Sequence, residues 1–119
     1  MSGSRQAAVV WRLSVAGSVI LSQMSDEATA KKRYMVIEHF RDAAAVYRRF
    51  RDRGRLAPDG LVYISSWVDE KLERCFQVME TQEPHLLDEW MANWNDLIDF
   101  EVYPVFTSQE AAQRIAPRL

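Results

Sequence analysis

From Tyr34 to Phe106 two kinds of hydrophobic pattern alternate, with turn residues at each change, and that order limits the folds open to the chain. Tyr34-Met-Val-Ile-Glu-His-Phe40 is rich in branched and aromatic residues and predicts a strand. Asp42 is a suitable N-cap for a helix in which Ala43, Val46, Tyr47, Phe50, Gly54 and Ala57 recur at three- and four-residue steps, with Arg48, Arg49, Arg51 and Arg55 outside. Pro58-Asp59-Gly60 is turn chemistry, since proline fixes φ and glycine accepts positive φ; it leads into a second strand, Leu61 to Val68. After a short loop, Asp69 to Leu72, the chain returns as a third strand, Glu73 to Thr81. Pro84 suits the first turn of a second helix, whose Leu87, Trp90, Met91, Trp94 and Leu97 form one apolar stripe. Ile98 to Phe106 reads as a fourth strand. Thr107 and Glu110 have capping-box spacing for a terminal helix, Ser108 to Ile115, stopped by Pro117.

Strand, helix, strand, strand, helix, strand is the split-βαβ order. It predicts an α+β domain of ferredoxin-like form, a four-stranded antiparallel sheet with both helices on one face. The second face must then be covered. Leu-Val-Tyr-Ile-Ser-Ser-Trp-Val in strand two carries large apolar groups at both parities, where a solvated face would alternate with polar residues. A chain of 119 residues has no further layer to offer, so the pattern predicts a homodimer built sheet to sheet.

Lys+Arg 15 against Asp+Glu 17 leaves a net charge of -2, which argues against a nucleic-acid binder relying on overall attraction to phosphate. Six arginines lie between Arg41 and Arg55, while Glu83 to Glu101 holds six acids and no lysine or arginine; in this fold the two segments are neighbours, so pairing between them is expected. Cys75 is the one cysteine, which excludes an intrachain disulfide and points to a reducing cytoplasm. There is no glycine-rich phosphate loop, nucleophile elbow or metal-ligand spacing, so no cofactor and no metal are expected. His39 and His85 lack a second ligand motif and read as structural or surface residues.

Residues 1–32 hold neither a helix nor a strand period, and the domain is placed at 33–119. The run Leu13 to Leu21 is shorter than the roughly 20 residues that span a bilayer, so no membrane is expected as partner. Arg5 and Arg12 before it and Ala28-Thr29-Ala30 after it outline a weak secretory signal, diluted by Ser14, Gly17 and Ser18. A flexible extension, or a true start at Met24 or Met35, is the other reading.

Several stretches carry a family likeness. Tyr34 to Phe40, Val46-Tyr-Arg-Arg-Phe-Arg51, Pro58-Asp-Gly-Leu61, Ser66-Trp67, Glu73 to Glu80, Asp88-Glu-Trp90 and Asp99-Phe-Glu-Val102 together resemble the domain-of-unknown-function 3303 family, over roughly Tyr34 to Ile115. That family resembles a small bacterial branch of the dimeric α+β barrels, which pair two ferredoxin-like sheets into one barrel. The group includes haem-degrading and quinol-forming monooxygenases, lactone isomerases and stress-response barrels without a settled activity. The likeness implies fold and dimerisation and assigns no catalytic residue.

Strand parity nominates residues for the barrel side. Sending the apolar pairs Met35/Ile37, Phe76/Val78 and Phe100/Val102 to the helices, with Val62, Ile64 and Ser66, leaves a barrel set that includes Glu38, Cys75, Glu101, Tyr103 and Ser65. Ligand-binding candidates are then Val36, Phe40, Tyr63, Trp67, Gln77 and Met79, apolar walls with few polar groups. Glu38, Glu101 and Tyr103 are the catalytic candidates, two carboxylates able to share a proton in a partly apolar site. The leading reading is a homodimer that binds a small apolar ligand in the barrel cleft. The alternatives are a cofactor-independent isomerase or monooxygenase using these carboxylates, and a structural dimer with no ligand.

Overall fold

The computed structural model describes residues 30–119, so the expectations for residues 1–29 lie outside the described part. The elements run β1 (Lys32–Phe40), α1 (Ala43–Arg53), β2 (Leu61–Val68), β3 (Arg74–Thr81), α2 (His85–Ala92), β4 (Ile98–Val105) and α3 (Ser108–Ile115), followed by a 3-10 turn, Ala116–Arg118. The strands pair in the order β2-β3-β1-β4, all antiparallel. This is the ferredoxin-like α+β fold that the element order predicts.

Local chemistry explains the boundaries. Asp42 caps α1 by accepting from the Ala45 N–H at 3.1 Å, and Gly54, at φ 73°, ends it. Thr107 and Glu110 form the expected reciprocal capping box at the start of α3. Pro84 stands one residue outside α2, as its N-cap. Arg41 bonds Asp99 and Arg49 forms a two-pronged pair with Asp96 at 2.7 and 2.8 Å, so basic and acidic segments do meet.

The core lies between the sheet and α1 and α2, where Val36, Met79 and Leu87 are fully buried beside Trp90, Trp94, Ile98 and Val102. Alternation therefore sends Tyr34, Val36 and Glu38 of β1, and Cys75, Gln77, Met79 and Thr81 of β3, toward the helices. Met35, Ile37, Phe76 and Val78 look out on the open face and are half-buried there by their strand neighbours. For β1 and β3 this reverses the expected assignment. The rule that apolar residues go under the helices fails here because the open face is just as apolar. On β4 the assignment holds: Phe100 and Val102 face the helices and Glu101 and Tyr103 the open side, as their pairing with β1 requires. On β2 the register shifts between Tyr63 and Ser65, a bulge that turns Tyr63 and Ser66 to the helix side and leaves Val62, Ser65 and Trp67 on the open side. At the other end of β1, Phe40 donates to the Glu73 carbonyl and Arg41 to the Leu97 carbonyl, tying the strand to both neighbours.

Candidate functional site

A cavity of about 170 Å³ lies under the helices, bounded by Glu38, Tyr47, Phe50, Ser66, Trp90 and Trp94 among others, with Arg55, Gln77 and Cys75 at its polar side. Engineered cavities of about 150 Å³ accept a benzene-sized guest, so this one suits a single ring with a small substituent.

Glu38 is 7% exposed, and its only described hydrogen bond is a long one, 3.4 Å, from the Gln77 amide. Burial pushes its carboxyl up to about 7, against the pull of Arg55. Gln77 bridges two charges: its amide N–H₂ faces Glu38 while its Oε1 accepts from the Arg55 guanidinium at 2.7 Å. The guanidinium lies 3.7 Å from the centre of the Tyr63 ring, with Phe50 at 5.2 Å. Cys75 is pushed up to about 12, by burial first and then by Glu38, so its thiol stays protonated and inert.

Arg55 reaches the cavity because the chain leaves helical geometry just before it. Gly54 and Leu56 both have positive φ, 73° and 62°. For leucine that conformation costs about 1–2 kcal/mol. Three side chains from α2 and the turn after it hold the segment: Trp90 and Trp94 both donate their indole N–H to the Arg55 carbonyl, at 3.1 and 2.8 Å, and Asn93 donates to the Leu56 carbonyl at 3.1 Å. The two tryptophans are thus core residues, as their stripe implies, that also aim a cation. Sequence reasoning placed Arg55 with the solvated arginines of α1. The glycine before it was the available signal, since a helix that stops at Gly54 no longer dictates where residue 55 points.

The nominated residues separate into two groups. Glu38, Gln77 and Phe40 line the cavity, Tyr63 stacks beneath Arg55, and Val36 and Met79 are core side chains at the sheet centre. Glu101, Tyr103 and Trp67 belong to the opposite face. Glu38 and Glu101 therefore do not share a site, which corrects the expectation of one barrel set. Glu101 accepts from the Tyr103 hydroxyl at 2.6 Å and lies 2.5 Å from His39 Nε2. His39 is accordingly on the open face. The bond to Glu101 raises the Tyr103 hydroxyl above its usual range. These three form a polar cluster on the sheet surface and border neither described recess. A second recess, about 360 Å³, lies beside Lys32, Phe106 and Arg114, where Arg33 is already paired with Glu80 and Glu110. Among the described residues no group of three or more His, Cys, Asp or Glu side chains is placed to hold a metal.

The family model for the domain of unknown function DUF3303 matches residues 32–119. The chain belongs to this family. No curated protein and no solved structure matches it. The DUF3303 match covers every strand and helix described above, so cavity, open face and terminal helix all fall within the family unit. No described helix of this DUF3303 domain is long and apolar enough to cross a membrane.

Proposed function

We propose that this DUF3303 protein is a homodimer that holds one small, largely apolar molecule per protomer, in the cavity between sheet and helices. The observation that carries the reading is the cavity itself, a ring-sized space with aromatic walls, one buried acid and one cation at its polar side. The dimer half rests on the open face, where Met35, Ile37, Phe76, Val78 and Trp67 have no layer of the described chain over them. In a sheet-to-sheet pair those bulky side chains fill the barrel between the copies, and the guest belongs under the helices rather than in the barrel cleft. A reducing cytoplasmic setting goes with this reading, in keeping with the free, buried Cys75.

Glu38 favours a second reading, a cofactor-independent isomerase. An acid that titrates near 7 in an apolar site can take a proton from one carbon of a bound guest and return it to another. Native mass spectrometry of protein purified from its own host tests the binding proposal. The expected species is a dimer carrying two copies of one small mass that denaturation releases. A bare dimer would overturn the cavity reading, and a monomer at micromolar concentration would overturn the dimer.

A further inference from the structure

Resting on the cavity reading, we propose that the guest is a small planar organic anion, an aromatic or enolic carboxylate, whose charged end pairs with Arg55 while its ring lies among Tyr47, Phe50, Trp90 and Trp94. Arg55 is half-buried and pinned by its backbone, yet its guanidinium donates to only one described partner, the neutral amide oxygen of Gln77, and makes no ion pair among the described residues. The arginines on or beside the helix that meet a carboxylate, Arg41, Arg49 and Arg51, do so at the surface. A guanidinium has five N–H donors in a planar fork, so a carboxylate can be taken two-pronged beside the existing bond. The faces of Tyr63 and Phe50 hold that fork without neutralising it, whereas an anion would supply the missing counter-charge in a place where leaving one out is costly.

Glu38 explains why the guest is an anion rather than a cation. Among the described residues it is the one carboxylate lining the cavity, and Gln77 stands between it and Arg55. The groups that face it are Cys75 and Gln77 from β3, Phe100 from β4, Tyr47 from α1, Arg55 from the following segment and Trp90 and Trp94 from α2. Only Arg55 among them is charged, because burial pushes the Cys75 thiol and the Tyr47 hydroxyl upward and keeps both neutral. Protonated, Glu38 is a hydrogen-bond donor that tolerates an anion beside it. Ionised, it competes with the guest for the same cation, so binding of the anion and ionisation of Glu38 oppose each other.

Benzoate and its neutral analogue benzamide are the probes, titrated calorimetrically into the full chain at pH 6 and pH 8. Benzoate is expected to bind at least about tenfold more tightly than benzamide at pH 6, and to weaken about tenfold by pH 8 as Glu38 ionises. Arg55→Met should remove the preference for benzoate while leaving benzamide binding in place, and Arg55→Lys, which keeps the charge without the fork, should restore part of it. Glu38→Gln should bind benzoate with no loss between the two pH values. Equal affinity for the two probes would overturn the anion while leaving the cavity reading standing. Binding of neither would overturn both. A preference for benzoate that survives in a folded Arg55→Met would overturn the role given to Arg55.

Discussion

Glu38 is where the sequence places an acid on a strand and the fold surrounds it with apolar groups, and its protonation couples to stability. Its folded carboxyl is raised from 4.5 to about 7, so the fold prefers the protonated form. Its contribution to stability is therefore complete below about 4.5 and is lost as pH climbs through about 7. A shift of that size corresponds to a difference on the order of 3 kcal/mol between the ends of the window. Glu38→Gln keeps an acceptor for the Gln77 amide and removes the titration. Urea denaturation should show the variant little changed at pH 5 and more stable than the wild type at pH 8 by up to about 3 kcal/mol. An equal difference at both pH values would mean that the carboxyl is well solvated.

The turn that feeds β2 shows how tightly elements are set against each other. Gly60 has φ 95°, and a Cβ added there would stand 2.9 Å from Leu86 Cδ1 at the start of α2. Gly60→Ala meets a strained backbone and requires the Leu86 methyl to shift, and should cost about 1–3 kcal/mol, read as a fall of several degrees in Tm. An unchanged Tm would show that Leu86 yields freely. At this scale the sequence was largely legible. Leu61–Val68 and Ser108–Ile115 have the expected ends because Pro58-Asp59-Gly60 and the Thr107/Glu110 box punctuate the chain with strong local chemistry. Facing was legible on β4, where Phe100 and Val102 contrast sharply with Glu101 and Tyr103, and past the bulge on β2, where Ser66 lies on the helix side and Ser65 and Trp67 on the open side. On β1 and β3 large apolar residues occupy the open face, and the polar Glu38 and Gln77 are accommodated beneath the helices by Arg55, which lies beyond the end of α1 and outside any strand pattern. The bulge in β2 left no mark in the alternation, so Tyr63 fell on the wrong side. The candidate site was thus half visible: its acid and its amide were nominated, and its cation was not.

For the molecule as a whole, one sheet serves two tasks, a cavity wall on one side and, in our reading, a dimer contact on the other. Trp67 tests the second without disturbing the first. It is 61% exposed, so Trp67→Arg should leave the single-chain fold intact while setting a charge on the face of the proposed contact. Light scattering should then report half the wild-type mass; a dimer that persists would place the contact elsewhere. The sheet's double duty also makes the pairing of β1 a point on which everything turns. The bonds from Phe40 to Glu73 and from Arg41 to Leu97 clamp the strand at its exit. Were β1 to slip by a single residue, a ladder of the same length could still form, yet the strand's occupants would trade places: Met35, Ile37 and His39 would look into the cavity, and Tyr34, Val36 and Glu38 would look out.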